Sequence, residues 1–124
     1  MKKLMLIMFS LSVLISCSSM PNKNQSWSTD DTSREIAFQV INIVDLGQTL
    51  NIVENDDYVE LNPLLGKHPT KKEVYNYFAL SGLTHYLISR NLSKSNRSAW
   101  QYVTFGISLG AVGHNYRIGL KVSF

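Results

Sequence analysis

The sequence predicts a mainly α-helical chain: a leader, a polar tether, a bundle of three apolar helices and a short extended C-terminal tail. Three observations carry this reading. Apolar segments recur at Ile36 to Val53, at Val74 to Ile88 and from Ala99 to about Gly113. Each opens on a Ser/Thr-x-x-Glu/Gln pattern, the sequence form of a helix capping box. The stretches between them are rich in turn formers. At 124 residues the chain has room for one domain at most. The expected division is a leader over 1–16, a tether over 17–33 and a helical domain over 34–124.

The leader comes first. Lys2 and Lys3 precede an apolar run from Leu4 to Ile15, interrupted only by Ser10 and Ser12. That run is short for a membrane span of about 20 residues, and it suits the apolar core of a secretory signal. It ends in Leu14-Ile15-Ser16-Cys17, which resembles the lipobox of bacterial lipoproteins. The resemblance implies that Cys17, the lone cysteine, carries acyl chains of the palmitate class and begins the mature protein. Ser18 stands next, where an Asp marks inner-membrane retention in enteric lipoproteins. The resemblance therefore implies a lipid-anchored protein on the periplasmic face of the outer membrane rather than the inner. Each buried methylene of an acyl chain adds about 0.8 kcal/mol of membrane affinity. A single Cys also excludes a disulfide framework.

Charge follows the same division. Without Lys2 and Lys3 the balance falls to ten bases against nine acids. Between Cys17 and Gly66 the bases are Lys23 and Arg34, against Asp30, Asp31, Glu35, Asp45, Glu54, Asp56, Asp57 and Glu60. From Lys67 onward the only acid is Glu73. The halves are set to neutralise each other in the fold, and an exported chain is not expected to meet nucleic acid.

The helices follow in order. Residues 18–33 are polar and read as a flexible tether. Thr32 and Glu35 are the expected first capping box. The loop Glu54 to Pro69 contains Asn55-Asp56-Asp57, Asn62-Pro63 and Gly66. Thr70 and Glu73 form the second box, directly after Pro69. Residues 89–97 are a basic turn, and Ser98 with Gln101 is the third box. Beyond Gly113, Tyr116, Ile118, Leu120, Val122 and Phe124 alternate with other residues at a strand period. Behind three helical segments this reads as an extended tail, since a membrane barrel needs at least about eight strands.

Whether the helices face water or lipid is argued by their composition. Gly106-Ile-Ser-Leu-Gly110 is a G-x-x-x-G, a device for close helix packing in membranes. Ala79 and Gly82 fit the same logic, and Tyr75, Tyr77, Tyr86, Trp100 and Tyr102 lie where interface aromatics sit. Against spanning stand the polar residues of the first segment. Asn42, Asp45 and Thr49 fall within about 60° of helical arc, so they must face a bundle interior. The balance favours a helical unit embedded in, or lying on, a membrane. Gly106 and Gly110 are the expected contact with an envelope protein or a second copy.

Asp45-x-x-x-Thr49 followed by Glu60-x-Asn62-Pro63-Leu64-Leu65-Gly66 resembles a group of small bacterial and phage membrane proteins with a D-x-x-x-T…E-x-N-P-L signature. Tyr77-Phe78, His85 and Trp100-Gln101 are similar to that group as well, so the likeness covers about residues 40–120. It implies a membrane fold rich in helical hairpins and no established activity. The lipobox departs from that pattern. Physically, Asn62-Pro63 stops a helix and starts a turn, in which Glu60 can accept backbone N–H groups or pair with Lys67.

Asp45, His85 and Asn115 are one polar residue per helix. With Asn42 and Thr49 they form the expected polar network, an Asp–His pair at its centre. Such a network either fixes helix register or responds to a proton or ion. No catalytic residue or cofactor is expected. His68, His85 and His114 lack metal-ligand spacing, and the glycines from 106 to 113 lack the Lys-Ser/Thr of a phosphate loop. The expected function is non-enzymatic: a lipid-anchored envelope protein acting by packing or protein interaction. The alternative is a small integral membrane protein using the Asp–His network in transport or sensing.

Overall fold

The computed structural model describes residues 26–124. The leader, Cys17 and most of the tether lie outside the described residues. Three helices follow in chain order: α1, Thr29–Glu54; α2, Lys71–Asn91; and α3, Lys94–Arg117. The chain is a three-helix bundle ending in an extended tail, as the sequence predicts, with no strand among the described residues.

The helix starts differ from expectation at two of three places. Helix α1 begins at Thr29, inside the span read as tether. Its cap is Ser28, whose hydroxyl accepts from the Asp31 N–H while the Asp31 carboxylate accepts from the Ser28 N–H. This is the same box one turn upstream of the one expected. Thr32 instead donates to the Ser28 carbonyl at 3.1 Å, and Glu35 turns into the bundle. Helix α3 begins at Lys94, and its cap residue Ser93 makes no side-chain bond. Ser98 and Gln101 are inside the helix, where Gln101 is buried and bonded to α1. Only the second box stands where predicted. Thr70 and Glu73 cap α2 reciprocally, and the Thr70 N–H and hydroxyl hold the Glu73 carboxyl below its ordinary value.

Helix α1 is the spine. Helices α2 and α3 each pack along it and scarcely touch each other, although only Leu92 and Ser93 connect them. The apolar core is small and sits where the C-terminal half of α1 meets the first turns of α2. Leu50, Val74 and Phe78 are buried there, with Leu46, Val53, Leu65 and Tyr77 around them. The outer surface is apolar instead. Ile36, Val40 and Ile43 of α1, Leu80, Leu83 and Leu87 of α2, and Val103, Ile107 and Leu109 of α3 are all exposed. The buried side chains include Asp31, Glu35, Asn42, Gln48, Thr49, His85, Arg97 and Gln101. Polar inside and apolar outside inverts the usual arrangement of a protein in water. Helix α1 is long and apolar enough to cross a membrane.

Helix α3 stops in a Schellman motif. The Leu120 N–H reaches the Asn115 carbonyl and the Gly119 N–H reaches that of Tyr116. Gly119 sits at φ 94°, a conformation that disfavours a side chain. The tail then returns along α1, buries Leu120 and donates the Ser123 N–H to the Gly47 carbonyl at 2.9 Å.

The glycines expected to bring helices together do not. A methyl group at Gly106, Gly110 or Gly113 would meet nothing within 4 Å. Within the chain the close approaches fall at Gly47 and Gly82. A Cβ at Gly47 would lie 2.4 Å from Val122, and one at Gly82 would lie 2.6 Å from the Gln39 amide oxygen. Gln39 has little freedom to yield, because its nitrogen donates to Glu35 and to the Gly82 carbonyl. Gly82→Ala is therefore expected to lower stability by about 1–3 kcal/mol through lost buried hydrogen bonds. Gly106→Ala is expected to raise it by up to about 1 kcal/mol through helix propensity. Denaturation midpoints of the two variants in detergent check the opposite signs.

Candidate functional site

The inward-facing polar groups form two clusters, one buried and one around a half-open cavity. The first lies where the start of α1 meets the junction of α2 and α3. Arg97 is 2 % exposed and Asp31 is 0 % exposed, and they pair at 2.8 Å. The same guanidinium donates to the carbonyls of Ser89 at 2.8 Å and Leu92 at 3.1 Å. Arg34 pairs with the other Asp31 oxygen at 2.6 Å and also donates to Gln101 and Ser98. Gln101 donates to the Asp31 carbonyl and to Glu35.

Glu35 carries the cluster on to His85. The Nδ1 of His85 lies 3.0 Å from a Glu35 oxygen, and Nε2 lies 2.8 Å from the Thr104 hydroxyl. The ring stacks on Phe38 with centroids 3.5 Å apart and faces Trp100 at 5.4 Å. The Asp45–His85 pair expected from sequence is therefore not formed. Glu35 takes that place because ten residues of helix set Asp45 about 15 Å further along α1. Both His85 nitrogens are occupied. Beside His85 an open cleft of about 600 Å³ separates α2 from α3, with Leu80, Ile88 and Ile107 among its walls.

The second cluster gathers the residues of the D-x-x-x-T…E-x-N-P-L pattern. A cavity of about 320 Å³ is lined by Asp45, Thr49, Glu60, Leu61, Asn62, Leu65, Phe78, Ala111, His114 and Asn115. The loop folds over it through its own turn. The Asn62 N–H donates to the Glu60 carboxylate at 2.7 Å, and the Asn62 side chain accepts from the Leu64 N–H at 3.0 Å. The N–H groups of Leu65 and Gly66 both reach the Asn62 carbonyl, and Gly66 sits at φ 77°. Pro63 starts this turn. Glu60 pairs with no lysine here, since it meets Lys67 only through a backbone bond. Asn115 donates to Asp45 across a long 3.4 Å.

The predicted network is thus divided. Asp45, Thr49 and Asn115 share the cavity with Glu60 and Asn62. His85 belongs to the other cluster, and Asn42 lies between, donating to the Phe78 carbonyl at 3.1 Å. Gly66 shapes the loop without lining the cavity. The sequence reading missed Asp31, Glu35, Arg34, Arg97 and Gln101. The available signal was that four of them, Asp31, Glu35, Arg97 and Gln101, recur at i, i+4 spacing, which places each pair on one helix face. Among the described residues no group of three or more His, Cys, Asp or Glu side chains converges to hold a metal ion. No family model, curated protein or solved structure matches the chain.

Removing one partner of a buried ion pair strands the other charge, at a cost of about 3–5 kcal/mol. Arg97→Ala is expected at the low end of that range, because Arg34 still reaches Asp31. The double variant Asp31→Asn with Arg97→Met is expected to lose less than Arg97→Ala alone. Equilibrium denaturation of the three proteins checks the order.

Proposed function

We propose that the protein is a non-enzymatic component of the bacterial envelope, lipid-anchored through Cys17. Its helical unit beds an apolar outer surface in the bilayer and acts by packing there against a protein partner or a second copy. The observation that carries this reading is the inverted surface. Exposed Val, Ile and Leu side chains occur on all three helices, while Asp31, Arg34 and Arg97 are paired inside. In water such a surface invites aggregation, whereas in lipid it needs no cover. The length and hydropathy of α1 support the same placement. Ser18 after Cys17 favours the outer membrane. Gly106 and Gly110, open to the outside, suit close contact with another helix.

A second reading, transport or sensing by a small integral membrane protein, is favoured by one feature: Asp45 and Glu60 share a cavity with His114 and neither is in an ion pair. It rests on that acid pair and no longer on Asp45 with His85.

Metabolic labelling with a fatty-acid probe tests the anchor. Wild-type protein is expected to take up label and Cys17→Ala to take up none. Carbonate extraction tests the helices. Cys17→Ala is expected to stay with the membrane pellet, held by the apolar surface alone. Release into the supernatant would reject the embedding, and an unlabelled wild type would reject the anchor.

A further inference from the structure

We infer that the cavity of Asp45, Thr49 and Glu60 binds a protonated organic amine with a small apolar body. Two carboxylates line this one space, and Glu60 adds like-charge repulsion at Asp45. Neither is in an ion pair, with His114 the one basic side chain on the same wall. The ion pairs of Arg34 and Arg97 with Asp31, Lys71 with Glu54, and His85 with Glu35 leave both of them out. Acids converging without a cation are costly unless a ligand supplies one.

Thr49 points to a ligand independently. It is 3 % exposed and lines the same cavity, and its hydroxyl bonds no side chain or carbonyl among the described residues. A hydroxyl on the cavity wall of an otherwise buried residue is set to bond whatever fills that space, and an ammonium group gives it a donor. Asn115 adds an amide within reach of Asp45.

Size and walls select the kind of cation. A space of about 320 Å³ is at the lower end for small-molecule pockets and far larger than a bare metal ion. Leu61, Leu65, Phe78 and Ala111 form apolar walls, and the Phe78 ring can face a cation. An alkylammonium satisfies both halves: its head meets the two acids and Thr49, and its body meets the apolar side chains. The inference rests on the cavity alone and not on the anchor at Cys17.

The test is calorimetric titration of the full-length protein in detergent with n-pentylamine, which is charged at neutral pH, and with 1-pentanol, its uncharged counterpart. Saturable binding of the amine and none of the alcohol is expected. Asp45→Asn and Glu60→Gln are each expected to weaken amine binding by at least about tenfold, and Thr49→Val by a few fold. Equal binding of amine and alcohol would overturn the proposal. So would unchanged affinity in both acid variants, or a response to sodium chloride with none to the amine. The comparison of amine with alcohol uses only the wild type, so a variant that fails to fold leaves the proposal falsifiable.

Discussion

One guanidinium joins all three helices. Arg97, in the first turn of α3, pairs with Asp31 in the first turn of α1 and donates to two carbonyls at the end of α2. Burying such an ion is costly, and its hydrogen bonds offset the cost only when the geometry holds. That condition sets the rest. Asp31 is also the capping-box residue of α1 and the partner of Arg34. Gln101, one turn along from Arg97, binds the Asp31 carbonyl and leads through Glu35 to His85. Helix starts, register and the sandwiched imidazole therefore hang from one contact.

Segment number, order and the extended tail were legible because apolar runs and turn residues report backbone directly. The box at Thr70 and Glu73 was legible for the same reason: Pro69 stops any earlier helix start. The other two boxes misled, since no proline stands directly before Thr32 or Ser98 to stop the helix from starting earlier. Tertiary bonds to Asp31 then drew Glu35 and Gln101 inward, and a local pattern cannot carry that information. Asp45, Thr49, Glu60 and Asn62 were legible as a set through their spacing, and the fold brings them to one cavity. The partner of His85 was not, because three acids of α1 face inward and only their height along the helix decides which one meets it.

The glycines show how spacing can mislead in another way. Gly106 and Gly110 have the periodicity of a helix contact but meet open space, while Gly47 and Gly82, in no such pattern, are the crowded positions. Small size is needed where a neighbour's tail or side chain passes close, and here the neighbours are Val122 and Gln39. The apolar exterior and the polar interior are two sides of this economy: the bundle is held by hydrogen bonds at one end and a handful of apolar side chains at the other.

Trp27 lies just ahead of α1, and the guanidinium groups of Arg90 and Arg97 each sit 4.9 Å from its ring centroid, with Tyr86 at 6.0 Å. Each such contact is worth about 0.5–2 kcal/mol. Mechanical load arriving along the chain from the N-terminal side reaches this clamp before it reaches the first turn of α1. Tension is thereby shared with the end of α2 and the first turn of α3, and the spine is shielded from unzipping at its own tip.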